Sequence, residues 1–408
     1  MPDLSSLIAP LSKQEFLSKG FPDRFLASRG APTRFADLLA IPELDDLELF
    51  IGSQTSPVRV WGSSPQLSAV VPASEASRFY QAGMTLYFRD VEKGVPALSP
   101  ILRRLEEELQ VPSETCSCEA FAARAGSDVL MHFDSDYAFN LQLRGRKRWR
   151  VAPNQHVINP SIGAKPGGRV PVELLREQRL RTALPARMPK GSKSYDVGPG
   201  SVVWLPRGDW HETKILGDED SFCLIFAVRP KMWMDHLLGV IRRRLIAQEA
   251  WRGSAFGLNG TREAWNAARD HAAALLHRLP EDLLGLSAEE LLCHQLPIYL
   301  DDPWRFEPVS QVTIPTQKRS SSRIVKVKKR GQILELEVET ATIAELVLWA
   351  LSRKDPFSGR DARCKVPALP AEELAGGLRL LVDAGLMRRF LPQLPVTNGA
   401  RSSHLRVG

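Results

Sequence analysis

The chain has 408 residues, 43% of them hydrophobic and 25% charged, which suits a folded protein with more than one core and excludes a disordered, collagen-like or fibrous chain. Lys and Arg number 54 against 47 Asp and Glu, a formal +7, so an acidic or nucleic-acid partner is permitted but not demanded. The five cysteines have neither a disulfide-framework nor a zinc-ribbon spacing, no signal-peptide pattern opens the chain, and the longest apolar run, Phe222–Val228, is far too short to cross a bilayer; a reduced, cytoplasmic protein without membrane contact is expected.

In chain order, the first 230 residues are dominated by short β-like runs broken by Gly and Pro. Examples are Asn140–Leu143, Arg148–Val151, Ser201–Leu205 and Phe222–Val228, and many short strands between turns point to a sandwich or barrel. One helix interrupts them, where Leu98, Leu102, Leu105 and Leu109 recur at helical spacing. After Pro230 the pattern turns helical. Leu237, Ile241 and Leu245 form one stripe and Trp265, Ala268, Ala272 and Leu275 another, with Thr261 a candidate N-cap and Ser287 with Glu290 a candidate capping box. Residues 316–330 carry seven basic side chains and no acidic one, a solvated linker into a strand or a nucleic-acid contact. The strand Ile333–Val338, helices over Ile343–Leu351 and Glu372–Asp383, a closing Gly385 and an extended Leu386–Phe390 then fit a winged helix. The expected architecture is an α+β multidomain chain: a β-barrel domain over 1–229, a helical, possible homodimerisation domain over 230–305, a winged-helix-like domain over 306–395 and a tail over 396–408.

The chemistry concentrates in His132-Phe133-Asp134. Residues two apart on a strand face the same way, so imidazole and carboxylate can converge. His211 stands 77 residues after Asp134, directly after the strand-like SVVWLP. Two histidines and one carboxylate on one face of an octahedral metal leave adjacent positions open, which is the ligand set of non-haem Fe(II) oxygenases; a 2-oxoacid fills two of those positions and O2 the third. The plainer reading of an isolated H-x-D is a satisfied strand histidine. Lys147, fifteen residues after His132 and just past Gly145, begins the return strand of a hairpin. It either reaches the metal cavity or joins Arg144, Arg146 and Arg148 in a solvated basic turn.

H-x-D, then FNLQLRGRKRW, then GPGSVVWLPRGDWHE together resemble the JmjC/cupin-type 2-oxoglutarate oxygenases over roughly residues 30–230, with AGMTLYFRDVEKGVPALSPILRRLEEEL similar to the lead-in of the ribosomal-oxygenase branch. The resemblance implies a double-stranded β-helix that holds Fe(II) through His132, Asp134 and His211 and uses 2-oxoglutarate and O2. It places Lys147 on the distal carboxylate of 2-oxoglutarate, with Gln142, Asn140 and Tyr137 as further cosubstrate-facing positions. It also implies a helical dimerisation region, a C-terminal winged helix, and hydroxylation of a protein side chain, an arginine or histidine of a ribosomal protein in that branch. A biosynthetic precursor peptide is the alternative substrate. A metal-free cupin barrel serving as a binding or regulatory module is the alternative from another class. Two positions depart from the family pattern: Val129 stands where relatives carry a hydroxyl, and Cys118 where some carry an amide. Cys116 and Cys118 read as buried thiols, Asp136 as a loop carboxylate, and Trp149, Trp204 and Trp210 as barrel core, with Trp210 a candidate for the substrate mouth.

Overall fold

A computed structural model describes residues 2–62, 68–112, 114–166, 170–180, 182–288, 291, 305–310, 312–315, 324–329 and 331–390. Glu290, Cys293, His294, residues 316–323 of the basic run and the tail 396–408 with His404 lie outside the described residues. The chain divides into one compact unit, Met1–Lys231, and a second that begins at Met232.

The first unit contains twelve strands among its described residues: β1 (Leu26–Ser28), β2 (Val58–Trp61), β3 (Ser68–Val71), β4 (Thr85–Phe88), β5 (Cys116–Ala123), β6 (Asp128–His132), β7 (Tyr137–Arg144), β8 (Arg146–Ala152), β9 (Lys193–Val197), β10 (Val202–Leu205), β11 (Trp210–Leu216) and β12 (Ser221–Val228). They form an eight-stranded sheet in the order β1-β10-β7-β12-β5-β4-β2-β3 and a four-stranded sheet in the order β6-β11-β8-β9, with every pairing antiparallel. The sheets face each other: Trp149 and Val151 of β8 and Val197 of β9 pack on Val203 and Leu205 of β10. This is a double-stranded β-helix.

Side-chain alternation sorts the larger sheet into two faces. Leu141, Phe139 and Tyr137 of β7, and Phe222, Leu224 and Phe226 of β12, point into the main core, where the amphipathic helix Ser99–Leu109 and the N-terminal helices cover them. Cys223, Ile225 and Ala227 alternate to the inner face. Because β12 is buried on both faces, its sequence reads as an unbroken apolar run. Buried Glu106 ties the covering helix to the sheet by accepting a hydrogen bond from the Cys116 N–H at 2.8 Å.

The second unit opens with helices Trp233–Ile246 and Arg262–Asp282, the latter capped by Thr261 accepting from the Ala264 N–H. Five further strands follow: β13 (Arg305–Pro308), β14 (Val312–Thr313), β15 (Ile324–Lys329), β16 (Gln332–Glu337) and β17 (Met387–Phe390). β13 pairs with β17, and β14, β15 and β16 form a small sheet. Helices Ala341–Ser352, Gly359–Lys365 and Ala371–Asp383 share one core with them. Gly385, at φ +63°, turns the chain from the last helix into β17, a backbone shape that a side chain would strain.

Candidate metal centre and cosubstrate cavity

The ladder between β6 and β11 places His132 directly opposite His211. One residue further along β6, Phe133 makes a two-way backbone bridge with Ala164 and drops its ring against Trp210, 4.7 Å away and nearly perpendicular. That anchor turns Asp134 to the same side as His132. One ligand atom from each of His132, Asp134 and His211 lies within 4.8 Å of the others. The two Nε2 atoms stand 3.6 and 3.5 Å from Asp134 Oδ2, too far for hydrogen bonds and a fit for donors that share an ion.

The imidazole orientations are set from behind. Nδ1 of His132 meets the Leu130 carbonyl at 2.8 Å and Nδ1 of His211 meets the Asp209 carbonyl at 3.0 Å. A carbonyl only accepts, so each Nδ1 carries the proton and each Nε2 offers its lone pair to the centre. Burial, and then the neighbouring His132, push the His211 pKa down to about 4, so its ligating neutral form prevails at neutral pH. Trp149 stacks on the His211 ring at 5.8 Å and 26°.

The three residues line a cavity of about 1120 Å³ between the sheets. Lys147 enters it from β8, 5% exposed. Its ammonium lies 5.9 Å from the centre of the Phe121 ring, and no described carboxylate or hydrogen-bond acceptor meets it. Burial lowers its pKa, and the nearby Cys223 thiol acts in the opposite sense. A buried cation without a counter-ion is costly, so this one is placed for an anion. An open-faced His/Asp/His set beside such a cation suits a metal together with a small dianion.

The other expected cosubstrate positions separate. Asn140 lines the cavity and donates from Nδ2 to the Val203 carbonyl at 3.4 Å. Gln142 shares its face of β7, but its amide is spent on the Arg144 carbonyl at 2.7 Å and Ser221 Oγ at 2.9 Å. Tyr137 points the other way, stacked on Trp204 in the main core, because it sits an odd number of residues from Asn140. Trp210 also turns outward, fully buried against Phe133, so Trp149 and not Trp210 lines the cavity. Asp136 is a loop carboxylate, as expected, and accepts a hydrogen bond from Arg229 Nε at 2.7 Å. Cys116 and Cys118 are buried on the core face of β5.

Sequence reasoning missed Thr213 and Glu119, and it read Trp149 as barrel core, where it lies, without its place on the cavity wall. Thr213 follows His211 by two, lies opposite both Val129 and Trp149, and brings a hydroxyl to the wall where Val129 has none. Glu119 on β5 is buried against Arg229, and burial raises its pKa although Arg229 opposes this. Only period-2 parity, counted outward from Lys147 and His211, would have flagged Trp149 and Thr213.

Residues 99–235, the stretch from the covering helix through β12 with all three candidate ligands and Lys147, match the model of the JmjC domain family. The Bacillus subtilis (strain 168) protein YxbC, described as uncharacterized, is 26% identical over 303 residues, 72% of this chain and 91% of YxbC. Among solved structures, Escherichia coli YcfD covers 93% of this chain and 99% of its own at 13% identity and a TM-score of 0.41. A YcfD structure described as a ribosomal oxygenase with cobalt and succinic acid is 15% identical with a TM-score of 0.40, covering 93% of this chain and 98% of its own.

Proposed function

We propose that the chain is an Fe(II)- and 2-oxoglutarate-dependent oxygenase that hydroxylates a side chain of a protein or peptide. The observation that carries this reading is the unpaired, buried Lys147 ammonium in the same cavity as the open-faced His132, Asp134 and His211 set. Ferrous iron, with O2 and 2-oxoglutarate, supplies the oxidising power to hydroxylate an unactivated C–H while the oxoacid leaves as succinate and CO2.

The protein's part is placement. His132, Asp134 and His211 would hold the metal, the Nδ1 protons of the two histidines being fixed by the Leu130 and Asp209 carbonyls. Lys147 holds the distal carboxylate as a charge-assisted partner, and Thr213 offers a hydroxyl on the adjoining strand. Trp149, Ile225 and Ala227 give the cavity dry walls that exclude water. An arginine or histidine of a ribosomal protein is the first substrate to try, on the strength of the motif resemblance.

The test is anaerobic reconstitution with Fe(II) and 2-oxoglutarate followed by exposure to O2. Succinate should form, and Asp134→Ala should reduce it at least a hundredfold. Equal succinate from parent and Asp134→Ala would falsify the proposal.

A further inference from the structure

The larger sheet has eight strands and the smaller sheet four, so the inner face of the larger sheet continues past its cover. β4, β2 and β3 form this extension, and their inward residues line the same cavity as the metal ligands. The pairing register sets Val70, Arg59, Tyr87 and Phe121 side by side across four strands, a row that runs from the free edge of β3 toward Lys147. Tyr87 stacks on Phe121 at 4.7 Å, and Trp61 stands edge-on to Phe121 at 5.5 Å. Val70 is 62% exposed, although the opposite faces of β2 and β4 carry the buried Val58, Val60, Leu86 and Phe88.

The charge on this floor is as distinctive as its rings. Arg59 is exposed and meets no carboxylate among the described residues. Arg89, also exposed, is ion-paired among the described residues with Glu119 alone, at 3.8 Å. That carboxylate is already committed to Arg229, which binds Asp136 as well. Two guanidiniums, Arg59 on β2 and Arg89 just past the end of β4, therefore keep their forks available beside aromatic faces. Asp128 and Lys165 also line the cavity.

We infer that this extension is the docking floor for the substrate polypeptide, and that it selects a segment bearing an acidic side chain next to an aromatic or bulky apolar one. The inference rests on the oxygenase reading: the segment lies over β4 and β2, Arg59 and Arg89 take its carboxylates, and the rings of Trp61, Tyr87 and Phe121 take its apolar neighbour. The target residue beyond it then projects toward the metal.

The experiment uses the full chain loaded with Mn(II) and 2-oxoglutarate under anaerobic conditions. Random dodecapeptides are selected on it and on Arg59→Glu/Arg89→Glu, and the winners are measured by fluorescence anisotropy. The parent should enrich Asp or Glu beside Phe, Tyr, Trp or Leu. The double variant should bind those winners at least tenfold more weakly, as about 0.3 M added salt should also do. Enrichment of basic residues, no enrichment, or winners that ignore the charge reversal overturns the inference, as does a single-stranded RNA 12-mer that binds where acidic peptides do not. Both proteins are also titrated with 2-oxoglutarate. A parent that does not bind it overturns the oxygenase reading, whereas binding without acidic selection overturns only the docking floor. If the double variant alone loses 2-oxoglutarate, Arg59→Gln/Arg89→Gln replaces it in the same comparison.

Discussion

Lys147 illustrates how a single side chain sets a cost that a ligand relieves. Its buried ammonium is destabilising in the ligand-free chain, since no described anion offsets its lost hydration. Lys147→Met keeps the stem and removes the charge. The ligand-free variant should melt about 2–4 °C higher, while its affinity for 2-oxoglutarate falls by tenfold or more. A melting scan and a Mn(II)-loaded calorimetric titration check both halves, and unchanged affinity would refute the role given to Lys147. Thr213 makes a finer case. Losing one hydrogen bond to a charged group costs roughly 1.5–3 kcal/mol, so Thr213→Val should weaken 2-oxoglutarate binding by about tenfold and Thr213→Ser should not; equal affinities in the same titration would remove Thr213 from the site. At this scale the clustering of His132, Asp134 and His211 was legible because residues two apart on a strand share a face and His211 follows a strand-like run. Tyr137 misled because its distance from Asn140 forbids a shared strand face. Gln142 has the right parity and is silenced by two hydrogen bonds that no spacing reveals.

Among the elements, the hairpin from β7 to β8 delivers Lys147, and its turn hangs on Gly145. That residue sits at φ +71°, and a Cβ there would lie 2.4 Å from the Asp220 carbonyl oxygen. Gly145→Ala therefore combines left-handed strain with a backbone clash, together worth roughly 2 kcal/mol or more. The first unit should melt about 4–8 °C lower by calorimetry, and 2-oxoglutarate affinity should fall with it as Lys147 shifts. A variant that melts like the parent would show that the turn tolerates a side chain. The strands β7, β8, β10, β12, β16 and β17 and the long helices announced themselves by period and by Gly or Pro punctuation. The helix Gly359–Lys365 did not, being seven residues held by a Ser358 and Asp361 capping pair with too short an apolar period to detect. The irregularity in the β6–β11 ladder between His211 and Thr213 was equally invisible, because a bulge belongs to the pairing and not to either strand alone.

Over the whole molecule, the barrel could be read because many short β-like runs are broken by Gly and Pro, and the eight-to-four mismatch of the sheets could not, because it arises from pairing between distant segments. The helical stretch after Met232 raises a different question. Helix Trp233–Ile246 buries Val240 alone, and helix Arg262–Asp282 buries no residue. Trp233, Leu238, Phe256 and Leu276 are all more than half exposed (70, 54, 81 and 63%). A helix whose apolar stripe is left largely exposed among the described residues is unstable on its own account, and a patch of this kind marks an interface. We propose that a second copy of the chain covers it, since identical stripes on two copies are self-complementary about a two-fold axis. Light scattering behind size exclusion should then report a dimer at micromolar concentration. Leu238→Glu/Leu276→Glu, which buries two unpaired carboxylates in that interface, should run as a monomer and still bind Mn(II) and 2-oxoglutarate, because the metal ligands and Lys147 all lie in the first unit. A monomeric parent would refute the dimer, and a monomeric variant that had lost 2-oxoglutarate would mean that the second copy supports the site as well as the helices.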